Sequence, residues 1–212
     1  MNSIIQNFKN IKSLTNNSNV KIIAVSKTFS YDQIKPLVDY GHDHFGENKV
    51  QEAQAKWGQI KKDKINLRLH MIGKLQSNKA KEAIALFDYI HSLDNQKLAD
   101  LLCKFEQKLN KKINYFIQVN IGNEKQKSGI NVGSLDAFFT YCTKDLKLNV
   151  IGLMAIPPND GQESLHFKNL MELNKSLGLK ELSMGMSADF RKALEYETTF
   201  VRIGSSIFGD RT

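Results

Sequence analysis

The chain has 212 residues, 41% of them apolar and 25% charged, with a formal net charge of +8. This is the composition of an ordinary globular chain, large enough for one sizeable domain or two small ones. No apolar run approaches the length of a membrane span, and Met1-Asn2-Ser3-Ile4 does not open a basic stretch followed by an apolar one, so a cytoplasmic protein with no membrane partner is expected.

The charge does not point to nucleic acid. Of the 30 basic residues, 26 are lysine, spread along the chain without an arginine cluster or interleaved aromatics. The densest groups, Lys61-Lys62-Asp63-Lys64 and Lys108 to Lys112, fall between elements, as a solvated surface does. Cys103 and Cys142 stand in no metal or redox spacing.

In chain order, Ile4, Ile5, Phe8, Ile11 and Leu14 form one face of a helix that ends at Asn16-Asn17-Ser18-Asn19. Ile22 to Ser26 suits a strand buried on both faces. Ser30 then caps a helix with Ile34, Leu37 and Val38 inward, stopped by Gly41. His44-Phe45-Gly46-Glu47-Asn48 is a short strand, and Val50, Ala53 and Trp57 mark a helix closed by Gly58. Strands are predicted over 68–73, 89–93, 113–120, 150–156, 181–184 and 199–204. Helices are predicted over 77–86, 95–110, 132–142, 163–177 and 188–196. Eight strands, each but the last followed by a helix, imply parallel pairing and a single closed (β/α)8 barrel with an extra N-terminal helix covering one mouth. An open doubly wound sheet is the alternative, weakened because no glycine-rich dinucleotide fingerprint follows the first strand.

The strand C-terminal ends are where such folds bind ligands. Lys27 stands at the first of them. A lysine there serves to hold an anion, or loses its proton by desolvation and attacks a carbonyl, or is simply solvated. Met184-Gly185-Met186-Ser187 and Gly204-Ser205-Ser206, at the last two strand ends, offer hydroxyls and backbone N–H groups suited to a phosphate. Ser187 also suits a cap for the next helix, with Asp189 in its first turn, and both roles are compatible because anions bind at cap positions. Arg202 alternates onto the opposite face from its apolar neighbours. It needs an acceptor there, either a ligand atom or a carboxylate such as Glu47 or Asp189. His42, His44, His70 and His91 show no ligand spacing and read as hydrogen-bonded strand histidines.

Several segments then recur in one family's order: Ala24-Val25-Ser26-Lys27-Thr28, Phe45-Gly46-Glu47-Asn48, His70 to Lys79, Lys127-Ser128-Gly129, Gly152 to Pro157, Ser183 to Ser187, and Val201-Arg202-Ile203-Gly204 with Ile207-Phe208-Gly209. From about Ile22 to Arg211 the chain resembles the pyridoxal phosphate homeostasis proteins, whose fold is the alanine racemase N-terminal barrel. The resemblance implies that Lys27 forms the aldimine with pyridoxal 5′-phosphate, that Ser187, Gly204 and Ser205 hold the phosphate, and that Arg202 faces the pyridine nitrogen. It also makes Asn48 and Met154 lining residues. It implies a vitamin B6 homeostasis role, with cofactor passed to pyridoxal-phosphate-dependent apoenzymes, and the chain is read as a monomer. One position departs from the family. Glu197 stands where glycine is usual, and if φ is positive there the cost is about 1 kcal/mol or more.

Two other functions compete. A two-base racemase needs a second acid/base group opposite the lysine. In alanine racemases a tyrosine supplied with a second domain provides it, and no such domain is expected in a chain ending at Thr212. A cofactor-free lysine aldolase would explain Lys27 but not a phosphate site or Arg202.

Overall fold

The computed structural model describes residues 3–15, 19–63, 66–124 and 128–209. Expectations that fell on Met1, Asn2, Asn16, Asn17, Ser18, Lys64, Lys127 and Arg211 lie outside the described residues.

Eight strands pair in sequence order and close on themselves: β1 (Lys21–Val25), β2 (His44–Glu47), β3 (Arg68–Met71), β4 (Tyr89–Leu93), β5 (Asn114–Gln118), β6 (Val150–Met154), β7 (Glu181–Met186) and β8 (Phe200–Ile203). All pairs are parallel, and β8 returns to β1 with Lys21 opposite Phe200 and Ile23 opposite Arg202. Helices α1 (Ser3–Thr15), α2 (Tyr31–Asp39), α3 (Val50–Trp57), α4 (Ile60–Asp63), α5 (Ala80–Leu86), α6 (Gln96–Leu109), α7 (Leu135–Thr140), α8 (Glu163–Ser176), α9 (Phe190–Ala193) and α10 (Ser205–Phe208) surround the barrel. None of the described helices is long and apolar enough to cross a membrane.

Strands in such a sheet are buried on both faces, and the cores divide accordingly. In β1, Ile22 and Ala24 join the large outer core beneath the helices. Ile23 points inward and meets Phe116, Met154 and Phe200, with Tyr89 and Ile151 packed against them. The inner apolar cluster is small because much of the barrel interior is polar. Closure also depends on a missing side chain: a Cβ on Gly152 would lie 1.9 Å from the Glu181 carbonyl oxygen, so only glycine admits the β6–β7 approach.

The predicted elements all form, with local differences. The last strand is followed by a helix after all, α10, whose four residues are too few to show a periodicity. The 132–142 helix continues through wider π-type turns to Asp145. α1 does not cover a mouth. It packs against α2 and α10, with Asn7 donating to the Ile207 carbonyl at 3.1 Å and Phe8 against His42. It thus stands on the barrel's flank, in the place a longer helix after β8 would occupy.

Glu197 has φ 57° and ψ 28°, in the left-handed region that favours glycine. Its carboxylate reaches Lys175 at 2.6 Å, an exposed pair that offsets little of the backbone strain. Glu197→Gly is expected to stabilise the chain by about 1 kcal/mol, read as a higher urea midpoint with an unchanged slope. A lower midpoint would contradict the strain argument.

Candidate functional site

Lys27 sits in a tight turn just beyond β1, half-buried, with buried Ser26 before it and Thr28 after it at φ 70°. A β-branched residue at positive φ is strained and persists only where its surroundings hold it. Here the holding network is visible. Glu47, at the end of β2 and wholly buried, accepts at Oε1 from Ser26 Oγ (2.8 Å), Lys56 Nζ (2.9 Å) and Trp57 Nε1 (2.9 Å). Lys56 Nζ also donates to the Ser26 carbonyl at 2.6 Å. Glu52 Oε1 accepts from Lys56 Nζ and from the Thr28 N–H. Glu52 and Lys56 lie one turn apart on α3, with Trp57 next to Lys56, so the end of this helix clamps both sides of the Lys27 turn.

The second part of the site lies across the β8–β1 seam. Ser187, just past β7, accepts at Oγ from the Gly204 N–H at 3.4 Å. Ser205 and Ser206 are exposed in the first turn of α10, where backbone N–H groups have no partner within the helix. A Cβ on Gly204 would lie 3.4 Å from Val25 Cβ, which puts this cradle of hydroxyls and N–H groups beside the strand that ends in Lys27. The reading of Ser187 as a helix cap does not hold. The residue before α9 is Asp189, and its carboxylate turns back to accept from the Met186 N–H at 2.6 Å.

Arg202 lies inside the barrel, 4% exposed. NH1 donates to the Ser183 carbonyl (2.8 Å) and to Ser183 Oγ (2.7 Å), and NH2 to the Ala155 carbonyl (2.9 Å). The expected carboxylate partners are not used: among the described residues Glu47 pairs with Lys56, and no ion pair reaches Arg202. Burial lowers the guanidinium pKa to about 10, with the field of Asp189 opposing the shift, so the group stays charged at neutral pH. The second hydrogen on NH2 and the one on Nε remain for a ligand. Met154, fully buried at the end of β6, packs with Ile23 and Phe200 beside it.

Asn48 follows β2, two residues past Gly46, which pairs with Val25, so it leaves the strand beside the one that ends in Lys27. It lines a cavity of about 330 Å³ at the C-terminal mouth, with Gly73, Gln118 and Asn120, and borders a second of about 390 Å³ with Lys74 and Lys79. The structure therefore brings Lys27, Gly204 and Ser205 to the ends of the paired strands β1 and β8, Ser187 to the end of β7 beside them and Asn48 to the end of β2 on the other side of β1, with Arg202 and Met154 inside the barrel. The sequence reading missed the clamp of Lys56, Glu52 and Trp57, although the Glu52–Lys56 spacing was its one visible sign. The histidines are hydrogen-bonded as expected, and no metal-binding group of His, Cys, Asp or Glu forms among the described residues.

A flat ligand carrying an anion at one end, a carbonyl at its side and a ring acceptor would find a counterpart for each group here. A family model for the alanine racemase N-terminal domain matches residues 1–212. The pyridoxal phosphate homeostasis protein of Aquifex aeolicus (strain VF5) is 38% identical over 200 residues, covering 90% of this chain and 87% of the relative. That of Haemophilus influenzae is 37% identical over 206 residues, covering 92% and 87%. The structure of PipY from Synechococcus elongatus PCC7942 with PLP bound superposes with a TM-score of 0.89 at 32% identity, covering 97% of this chain and 100% of that one. An alanine racemase of Clostridium difficile 630 shares the fold alone, at 15% identity and a TM-score of 0.77 over 97% of this chain and 56% of its own.

The clamp gives a direct test. Lys56→Met leaves the Glu47 carboxylate buried without its cation and is expected to destabilise the chain by about 3–5 kcal/mol in denaturant unfolding. Adding Glu47→Gln should recover part of that loss. A single variant as stable as the parent would show that the pair does not hold the turn.

Proposed function

The chain belongs to the pyridoxal phosphate homeostasis protein family, and we propose that it holds pyridoxal 5′-phosphate at the Lys27 seam and buffers or delivers the cofactor without substantial turnover. The observation that carries this is the convergence of three features: a clamped lysine turn, a hydroxyl and N–H cradle one strand away, and a buried guanidinium that no carboxylate pairs among the described residues. When bound, the cofactor supplies an aldehyde that condenses with an unprotonated amine and releases water.

The residues divide the work. Lys27 supplies the amine from a turn whose position the Glu47–Lys56 network fixes. Ser187 and the N–H groups of Gly204 and Ser205 bind the phosphate. Met154 gives an apolar wall, and Asn48 lines the mouth. Arg202 donates to the ring nitrogen from NH2 or Nε. Remaining cationic, it disfavours a proton on that nitrogen, and without that proton the ring is a poor store for carbanion charge. Firm binding with little turnover is what this arrangement supports. The relatives named as homeostasis proteins are 38% and 37% identical, against 15% for the racemase, which favours the same reading. Cofactor-requiring apoenzymes are the recipients in this proposal, and a cytoplasmic monomer the acting form.

Borohydride reduction of the protein loaded with pyridoxal phosphate should label Lys27, and Lys27→Ala should abolish the label. A label mapped to another lysine would refute the assignment. Ser187→Ala should weaken cofactor binding by about 1–3 kcal/mol, and pyridoxal lacking the phosphate should bind poorly to the parent. Equal affinity for the two forms would remove the phosphate site. For turnover, the loaded protein is incubated with a panel of L-amino acids while chirality and α-proton exchange are followed in deuterium oxide. Slow exchange without net product is expected, and racemisation at an enzymatic rate would favour a racemase instead.

A further inference from the structure

A line of polar side chains crosses the inside of the barrel. It begins at the N-terminal mouth on β2 and ends under the seam on β8. His44 Nδ1 lies 2.8 Å from His70 Nε2, and His70 Nδ1 lies 2.9 Å from His91 Nε2. His91 Nδ1 lies 2.9 Å from Ser183 Oγ, which Arg202 NH1 meets at 2.7 Å. His70, His91 and Ser183 are fully buried, while His44 is half-buried. Tyr89 stacks on His70 at 4.2 Å and Phe116 on His91 at 4.3 Å, which restricts rotation of both rings.

Hydrogen counting gives the line one direction. A guanidinium can only donate, so Ser183 Oγ accepts from Arg202. The Ser183 hydroxyl hydrogen then needs an acceptor, since an unpaired buried donor is costly. His91 Nδ1 is the acceptor within reach. It must therefore carry no hydrogen, and neutral His91 has its proton on Nε2, where it donates to His70 Nδ1. The same step repeats. His70 donates from Nε2 to His44 Nδ1, and His44 turns its own Nε2 toward the rim, 3.9 Å from Asp43 Oδ1. With the line in this direction, a second hydrogen on any of the three imidazoles would set two donors face to face. Burial holds His70 and His91 well below the usual histidine range, with the Arg202 charge adding to the effect on His91, and it lowers His44 as well.

We propose that Ser183, His91, His70 and His44 are positioning residues: a neutral, single-direction hydrogen-bonded line that fixes the Arg202 guanidinium from below without neutralising it. A carboxylate in place of Ser183 would cancel the charge, and an imidazolium at His91 would push the guanidinium away. The neutral line does neither. It pins NH1 and leaves donors of NH2 and Nε for the ring nitrogen. That last clause rests on the cofactor reading, whereas the direction of the line does not.

The test starts with the unmodified full chain, labelled with 15N, at pH 7. Long-range proton–nitrogen correlation should find His44, His70 and His91 neutral with the hydrogen on Nε2, with and without pyridoxal phosphate. A hydrogen on Nδ1, or an imidazolium, at any of the three overturns the proposal without any variant having to fold. His91→Gln can accept from Ser183 and donate to His70, whereas His91→Leu can do neither. The Gln variant should keep the cofactor Kd within about threefold of the parent and the same pH profile of the bound-cofactor absorption band. The Leu variant should weaken binding about tenfold and shift that profile. A Leu variant that matches the parent in both readouts overturns the positioning role while leaving the cofactor reading intact. Failure of the parent itself to bind pyridoxal phosphate overturns the cofactor reading and the positioning role together.

Discussion

Closure of the sheet through β1 and β8 is the constraint on which the rest depends. Strand ends that are 177 residues apart in the sequence (Lys27 and Gly204) become neighbours only because Ile22 pairs with Val201 and Ala24 with Ile203. The same register sets Ile23 beside Arg202. A one-residue slip would move every side chain of β8 to the other face, sending Arg202 into the apolar outer core. The site is thus a consequence of register before it is a matter of local chemistry.

Closure in turn depends on small details elsewhere. Gly152 lets β6 approach β7, and through Ser183 opposite Met154 that approach sets the height of the acceptors for Arg202. α1 fills the flank that α10 is too short to cover, so the seam has a buried backing of Phe8 and Ile11. A barrel with polar residues threaded through its interior needs that outer packing, because its inner apolar cluster is only a few side chains.

The legible parts of the molecule were those with local signatures. Strand and helix alternation follows from periodicity, and Lys27, Ser187 and Gly204 stand out because strand ends are where polar residues have no packing reason to be. Glu197 was marked by the family pattern, and its positive φ bears that out. What stayed hidden depends on reach across elements. Lys56 looked like one solvated lysine among 26, since nothing local says that its ammonium enters the core beside Glu47. His44, His70 and His91 read correctly as hydrogen-bonded, but their common partner line needs inward direction and barrel register together. Ser187 reads in the sequence both as a phosphate contact and as a cap, and the cap reading fails because Asp189, not Ser187, stands before α9.

The protein buries two cations near one seam and treats them in opposite ways. Lys56 is given a carboxylate, Glu47, at 2.9 Å, and the pair is further satisfied by Ser26 and Trp57. All of these bonds converge on Glu47 Oε1, while Oε2 is buried without a hydrogen-bond partner among the described residues, and the effect of the pair is to hold backbone in place. Arg202 is given only neutral oxygens, the carbonyls of Ser183 and Ala155 and the Ser183 hydroxyl. Carbonyl dipoles stabilise a guanidinium enough to keep it charged in the interior, yet they leave its field uncancelled. The desolvation that lowers its pKa to about 10 is the cost of that choice. A residue kept for fold stability alone would be better served by a carboxylate partner, as Lys56 is. An interior cation solvated by neutral groups, with donors left over, is what the proposed contact with a ring nitrogen requires.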